Sequence, residues 1–170
     1  ANPFYVDMGY TKDEVAAVSK VFGVVMTLVG AFVGGVLTLR FGVLRILFAG
    51  AVLSAVSNLL FAWLANQGHD LHGLIWVISA DNLSSGIASS AFIAFLSSLT
   101  NIRYSATQYA LFSSMMLLLP KWLAGFSGVF VDHFGYSAFF YGTAIIGLPV
   151  LALIWATMHL QVVQITNEGE

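Results

Sequence analysis

The chain has 170 residues, of which 59% are hydrophobic and only 8% are charged, and its net charge is −2. Soluble domains carry about 25% charged residues, and a fold of this length has too little interior to hide so much apolar surface. The composition therefore excludes a soluble globule. The lack of a basic cluster argues against a nucleic-acid partner, and the lack of Cys excludes disulfides and thiolate metal sites. We expect an all-α membrane protein that has the lipid bilayer as its solvent.

Five apolar segments follow one another along the chain, each longer than the ~18 residues that mark a spanning helix. They cover residues 13–39, 44–65, 72–100, 105–131 and 136–160. Before the first segment, Thr11 and Glu14 have the spacing of a capping box, in which the Thr hydroxyl accepts a backbone amide and the Glu reaches back. Residues 1–160 are thus predicted to form five transmembrane helices, and residues 161–170 a tail.

The short loops predict the orientation of the chain. Arg40 and Arg45 flank the first turn and Arg103 lies in the third, whereas the second and fourth turns contain no Lys or Arg. Positive residues mark the cytoplasmic side of a membrane. The tail after residue 160 is then cytoplasmic. The segments on the outer side are residues 1–12, 66–71 and 132–136.

Three charged residues interrupt the apolar segments: Lys20 in the first, Asp81 in the third and Lys121 in the fourth. Each is predicted to lie roughly 10–15 Å below the outer end of its helix, at 1.5 Å per residue. A charge at that depth is costly and usually faces a cavity or an ion path. One Lys–Asp pair would leave a surplus positive charge that suits an anionic solute, so we expect Lys20 and Lys121 to contact an anion. Asp81 is either a proton-coupling site or a member of a buried ion pair that fixes helix packing.

Further polar and aromatic residues accompany these charges. Asn82 comes directly after the acid, and Trp122, directly after the second lysine, could stack on a sugar ring. Gln108 and Tyr109 lie near the inner end of the fourth segment, where gating or capping competes with substrate contact. No spacing of His, Asp or Glu matches a metal site, and no nucleophile or phosphate-loop motif is present. We therefore expect no catalytic site, no metal and no cofactor.

Four stretches resemble AmpG-type muropeptide permeases of the major facilitator superfamily. Asp81–Phe92, an acid–Asn pair followed by small residues and Ala-Phe, is similar to the tenth helix of that family. Tyr104–Leu111 resembles its Ser-Ala-Thr-Gln-aromatic-Ala-Leu signature at the start of the eleventh helix. Val129–Phe140 resembles the turn into the twelfth helix, and Phe4–Lys20 resembles the outer loop and the eighth helix. Together these stretches run over residues 4–160.

The resemblance implies that the chain is part of the C-terminal half, helices eight to twelve, of a twelve-helix permease. The N-terminal half and the helix before residue 1 are then missing parts of the same transporter. Two positions depart from the family pattern: Leu39 stands where an inner-loop Asp is usual, and Lys121 stands where an Arg is common. The implied activity is proton-coupled import of anhydro-muropeptides from periplasm to cytoplasm by alternating access, in a bacterial inner membrane.

Two other functions share these features. A related carrier for another anionic solute, such as acetyl-CoA or a siderophore, would have the same fold and the same surplus positive charge. A membrane sensor or assembly subunit without transport activity would share only the helices. A membrane-embedded enzyme is not supported, because the sequence shows no catalytic constellation.

Overall fold

The structure, a computed structural model, describes residues 2–99 and 105–167, and in these residues every regular element is helical. In chain order the helices are α1 (Asn2–Asp7), α2 (Lys12–Val18), α3 (Val24–Phe41), α4 (Val43–Gln67), α5 (Leu71–Leu99), α6 (Ser105–Ala124) and α7 (Ser127–Asn167). A π-helical turn, Ser19–Gly23, joins α2 to α3. Within the described residues, four helical stretches are long and apolar enough to cross a membrane. They are Lys12–Phe41, Val43–Gln67, Leu71–Leu99 and Ser127–Leu160.

The first span begins at the predicted capping box. Thr11 Oγ1 accepts a hydrogen bond from the Glu14 amide at 3.2 Å, and the Glu14 carboxylate accepts one from the Thr11 amide at 2.8 Å. Both halves of the box are present, so this prediction is confirmed. No feature of the sequence predicts the π turn at Ser19–Gly23, because a uniformly apolar stretch does not distinguish a 3.6-residue turn from a wider one.

Two tight turns join the first three spans. Gly42 has a φ of +90° between α3 and α4, and Gly68 has a φ of +80° after α4. Glycine adopts such values at no steric cost, which allows the chain to reverse direction within a few residues. α4 and α5 begin and end within two residues of the predicted segments 44–65 and 72–100.

The fourth predicted helix, 105–131, is wrong at its end. α6 stops at Ala124, and the Gly125 amide donates to the Trp122 carbonyl at 3.2 Å and closes the last turn. Glycine tolerates this helix-ending geometry, and in the sequence it is hidden among apolar residues. α6 is 20 residues long and is not among the candidate spans, so the described residues contain four such spans where five were predicted.

The stretch α7 contains two helices that meet at Gly135. Gly135, with a φ of +78° and a ψ of +169°, has non-helical backbone and lies inside the turn predicted at 132–136. Glycine adopts such a positive φ at no steric cost, as at Gly42 and Gly68. Helical structure continues to Asn167, beyond the candidate span that ends at Leu160, so residues 161–167 are a helical extension and the cytoplasmic tail at 161–170 stays a prediction.

Small residues set the packing of the bundle. α3 and α4 both pack along α5, and α7 packs along α4. A Cβ on Gly34 would lie 2.8 Å from the Cα of Ile87, and a Cβ on Gly86 would lie 2.7 Å from the Ala31 amide nitrogen. Larger side chains would hold α3 and α5 apart, so these small residues serve close helix contact. By contrast, α6 makes few contacts with α5 and α7.

The segments predicted to lie outside gather at one end of the bundle. We call it the Tyr10 end, and it comprises residues 2–11, 66–71 and 132–137. Ser137 donates to Asn66 Oδ1 at 3.0 Å, and Tyr136 donates to the Asp7 carboxylate. These bonds connect α7 to the end of α4 and to α1, which are far apart in sequence.

Phe4 anchors α1 at this end. Its side chain is 1% exposed, and its ring meets those of Phe61, Tyr136 and Phe140 edge-on, with centroids 5.9, 5.1 and 5.2 Å away. Aromatic pairs favour this arrangement and these distances. α1 therefore packs against α4 and α7 and forms one wall of a cavity.

Candidate functional site

A cavity of about 340 Å³ lies at the Tyr10 end between α1, α4, α5 and α7. We call it the Asp81 cavity, because the carboxyl of Asp81, on α5, lies in its wall. Aromatic rings supply much of the remaining wall. The lining residues are Pro3, Phe4, Tyr5, Asp7, Asn58, Phe61, Asp81, Ser127, Gly128, Val131, Asp132, Tyr136, Phe139 and Phe140.

Asp81 has a hydroxyl partner on the neighbouring helix. Ser57 Oγ lies 2.9 Å from Asp81 Oδ1 and also 2.9 Å from the backbone carbonyl of Ser54. Ser57 is 2% exposed, whereas Asp81 is partly exposed towards the cavity. The carboxyl is therefore held on one side by a buried donor and is open to the cavity on the other.

The predicted Asp81–Lys pair is not formed in the part of the chain that the structure describes. The ion-pair contact found there joins His69 and Glu14, at 3.6 Å, and lies at the Tyr10 end. The charged residues that line the Asp81 cavity are Asp7, Asp81 and Asp132. The cavity wall is thus acidic, whereas the sequence predicted a layer with surplus positive charge.

Lys20 opens into a different cavity. It lies in the π turn with its side chain exposed, and it lines a cavity of about 420 Å³ between α1 and the first span. Tyr5 is common to both cavities, so its side chain separates Lys20 from Asp81. The structure thus places these two residues on the walls of different cavities and does not unite them in one site.

Lys121 is exposed and lies in the last turn of α6. α6 ends three residues later at Ala124, and helical structure resumes at Ser127, so the predicted uninterrupted helix to 131 is broken below Lys121. Lys121 is not among the lining residues of either cavity, although Ser127, six positions later, lines the Asp81 cavity. Trp122 is 64% exposed and its ring meets that of Phe126 edge-on, 5.2 Å away.

The other two candidates on α6 are Gln108 and Tyr109. Both lie in the first two turns of the helix and are partly buried. They are therefore at the opposite end of α6 from Lys121. A 20-residue helix is about 30 Å long at 1.5 Å per residue, so these residues and the lysine cannot contact one small solute group.

Asn82 faces the π turn. Its Oδ1 accepts from Thr27 Oγ1 at 3.0 Å, and its Nδ2 donates to the Ile78 carbonyl at 2.8 Å. Thr27 Oγ1 also lies 2.8 Å from the Gly23 carbonyl at the end of that turn. Asn82 thus ties α5 to the first span, while the adjacent Asp81 is bonded to α4. A small cavity of about 210 Å³ lies beside these groups.

Sequence reasoning missed Ser57 and Asn58, which place hydroxyl and amide groups next to Asp81. Ser54, Ser57 and Asn58 have i, i+3, i+4 spacing within an apolar span, and this polar stripe on one helical face was a usable signal. No comparable signal exists for Tyr5 or Asp132. Their position on the cavity wall depends on how α1 and α7 pack.

The two buried tyrosines of the Tyr10 end remain neutral phenols at ordinary pH. Burial raises the pKa of Tyr5 to about 12, and the nearby Asp81 carboxylate and Tyr10 add to the rise. Burial also raises the pKa of Tyr10, against the opposing effect of its hydrogen bond with the Asp70 backbone. Both side chains can therefore donate as well as accept hydrogen bonds.

A second, apolar cavity of about 690 Å³ lies between α4, α5 and α7. Leu44, Leu47, Ala51 and Ser54 line it from α4, and Asn58 and Phe61 continue the same face of α4 into the Asp81 cavity. The two cavities therefore follow one helical stripe. Among the described residues, no three His, Asp or Glu side chains come together as a possible metal site.

Comparison with known proteins establishes the family. A sequence model described as Major Facilitator Superfamily matches residues 1–169. The chain belongs to the major facilitator superfamily. It is therefore a multi-pass membrane protein of a transporter family, not an enzyme.

Similar proteins carry the AmpG name. The chain is 35% identical over 154 residues to "Putative transporter AmpG 4" of Rickettsia conorii, which is 91% of this chain and 37% of that protein. It is 34% identical over 153 residues to "Putative transporter AmpG 1" of Rickettsia felis, which is 90% of this chain and 35% of that protein. The resemblance to AmpG-type transporters is thus confirmed. The chain spans little more than a third of the length of these relatives.

Proposed function

We propose that this chain is part of a proton-coupled carrier that imports anhydro-muropeptides from periplasm to cytoplasm by alternating access. The observation that carries the proposal is Asp81. It is a carboxyl in a candidate membrane span, on a cavity wall, and its partner in the described residues is a hydroxyl and not a cation. A carboxyl without a fixed countercharge is suited to gaining and losing a proton inside a membrane.

The proton would reach Asp81 from the Tyr10 end, where the cavity lies. We propose that this end faces the periplasm, because Arg40 and Arg45 lie at the turn between α3 and α4 and favour the cytoplasmic side there. Protonation would then occur on the side with the higher proton concentration. Release would follow when the carrier opens to the cytoplasm. The protein would reside in a bacterial inner membrane with its C-terminus in the cytoplasm.

Solute contacts would be separate from the proton site. Lys20 and Lys121 are both exposed, and neither forms an ion pair within the described residues, so both ammonium groups are available to the carboxylates of a muropeptide. Lys20 also opens into a cavity of its own, and Lys121 lies close in sequence to the wall of the Asp81 cavity. The proposed secondary polar and stacking contacts are Asn82, Trp122, Gln108 and Tyr109.

The chain would supply helices eight to twelve of a twelve-helix bundle, with α6 as a fifth crossing. At 20 residues, α6 is about 30 Å long, which matches the hydrocarbon thickness of a bilayer. The helix before α1 would continue along the stripe of α4 that links the two cavities. Two facts support this: the relatives are about two and a half times as long as the chain, and α1 already packs at the end of that stripe.

Transport by the complete carrier tests the proposal. Asp81→Asn preserves shape but cannot titrate, so we expect proteoliposomes to lose gradient-driven accumulation of muropeptide and to retain exchange. Asp132→Asn is the matched control, since it removes an exposed carboxylate from the same cavity. Parental accumulation by Asp81→Asn would contradict proton coupling at this residue.

Competition tests the substrate. Labelled anhydro-muropeptide uptake should resist excess acetyl-CoA and excess ferric siderophore. Displacement by either compound would favour the related carrier for another anionic solute. A stably folded complete protein that takes up none of the three would favour a sensor or assembly subunit.

A further inference from the structure

The hydroxyl of Ser57 stands between two acceptors. It lies 2.9 Å from Asp81 Oδ1 on α5 and 2.9 Å from the Ser54 carbonyl on its own helix. A serine hydroxyl carries one hydrogen and can direct it fully to one acceptor at a time, while its lone pairs accept from another donor. Two acceptors at equal distance therefore define two alternative arrangements of the same atoms.

The protonation state of Asp81 selects between them. When Asp81 is ionised it can only accept, so Ser57 donates to Asp81 Oδ1. When Asp81 is protonated, its O–H can donate to Ser57 Oγ, and the Ser57 hydrogen turns to the Ser54 carbonyl. Every group keeps a partner in both arrangements. Only the proton on Asp81 is gained or lost, and it is exchanged with the water of the cavity.

We propose that Ser57 is a positioning residue that reverses its hydrogen bond as Asp81 gains or loses a proton. Protonation of Asp81 on α5 thereby changes the hydrogen bonding of the Ser54 carbonyl in the backbone of α4. The inference rests on the proposed proton coupling of Asp81 and adds the element that senses it. Ser57 is 2% exposed, so its hydroxyl is held between these two acceptors, away from solvent. α4 packs along both α5 and α7, so a change in the hydrogen bonding of α4 occurs on a helix that contacts both.

Other titratable groups around Asp81 do not provide this switch. From α1, Tyr5 and Asp7 line the cavity, and from α7, Asp132 and Tyr136 do so. Asp7 is bonded by Tyr136, and Asp132 is exposed. From the first span, Lys20 lines a different cavity.

Infrared titration of the complete carrier tests the switch without measuring transport. The carbonyl band of protonated Asp81 is assigned by its loss in Asp81→Asn. We expect Ser57→Ala to raise the midpoint pH of that band, corresponding to about a tenfold weaker acid, because the ionised carboxylate loses a charge-assisted donor. Ser57→Thr keeps a hydroxyl and should restore the parental midpoint, and Ser57→Cys, a weaker donor, should give an intermediate value.

Ser54→Ala is the matched control. Ser54 contributes its backbone carbonyl to the pair, so loss of its side chain should leave the midpoint unchanged. An unchanged midpoint in Ser57→Ala, or an equal shift in Ser54→Ala, would overturn the inference. So would an Asp81 band that does not titrate at all, because Ser57 would then have no proton to follow. Failure of muropeptide uptake is a separate result that bears on the proposed function alone.

Discussion

The Tyr10 hydroxyl is bonded to both backbone groups of Asp70. It donates to the Asp70 carbonyl at 2.8 Å and accepts from the Asp70 amide at 3.0 Å. The ring also packs against that of His69 at a tilt of 33°, with centroids 4.6 Å apart. The Tyr10 side chain thus forms hydrogen bonds with the backbone just before α5 and connects it to the segment between α1 and α2. The contact uses backbone groups of Asp70 and so does not depend on the Asp70 side chain.

Tyr10→Phe should destabilise the purified chain in detergent by about 1 kcal/mol, because it removes both hydrogen bonds with the Asp70 backbone. The Asp70 amide loses its side-chain partner, whereas the Asp70 carbonyl still accepts from the Leu74 amide at 2.9 Å. Unfolding by titrated denaturing detergent, followed by circular dichroism, measures the change. Tyr141→Phe is the control, since that side chain is 48% exposed. Equal effects of the two substitutions would show that the Asp70 bonds contribute nothing specific.

Adjacent glycines of α3 should respond in opposite ways to alanine. Gly34→Ala places a Cβ 2.8 Å from the Cα of Ile87 and should cost about 1–3 kcal/mol through overpacking. Gly35→Ala meets nothing within 4 Å and should be neutral or slightly stabilising, because alanine favours the helix. The same unfolding assay reports both variants. A loss of stability in Gly35→Ala as large as in Gly34→Ala would refute the close contact of α3 with α5.

Lys121→Ala in the complete carrier should reduce uptake of an anionic muropeptide about tenfold, through loss of a charged contact. Lys121→Arg should retain most of the activity, because the charge remains and only its geometry changes. Initial rates in proteoliposomes at several substrate concentrations separate binding from turnover. If Lys121→Ala transports at the parental rate, Lys121 has no part in solute binding.

Alkaline pH should weaken the fold through Tyr5. Its pKa is raised from 10.0 to about 12 in the folded chain, so the neutral phenol is the form that the fold favours. This stability is fully present below about pH 10 and is lost as the pH rises to about 12, by up to about 2–3 kcal/mol. Unfolding curves at successive pH values measure the loss. Tyr5→Phe should remove the share that comes from Tyr5 and leave the share of Tyr10, whose pKa is also raised, whereas Tyr141→Phe should leave the whole loss in place.

Local features of the sequence were enough to predict much of the helical framework. Thr11 and Glu14 mark a helix start because both partners of the capping box lie within one turn. Gly42 marks a reversal because a left-handed φ is a property of a single residue. Asp81 stands out because a charged residue within an apolar span is rare and is recognised from the sequence of that span alone.

Boundaries that depend on weak local preferences were harder to predict. The end of α6 at Ala124, next to Gly125, occurs in apolar surroundings, where glycine can end a helix, kink it or do neither. Which outcome occurs depends on the packing of the flanking turns. The same holds for the π turn at Ser19–Gly23, which lies against Asn82 of α5.

The sequence by itself determined that this is an all-helical membrane chain of a transporter type with one carboxyl in its third span. Composition and the length of each apolar run can be read from the sequence without knowing which helices pack together. Only the tertiary structure decided which groups bond to Asp81 and which share its cavity. Its partner, Ser57, is 24 residues away, and Asp7 and Asp132 reach the same cavity from α1 and α7. Such pairings follow from which helix faces meet, and helices that are apolar on every side carry no periodic signal that indicates those faces.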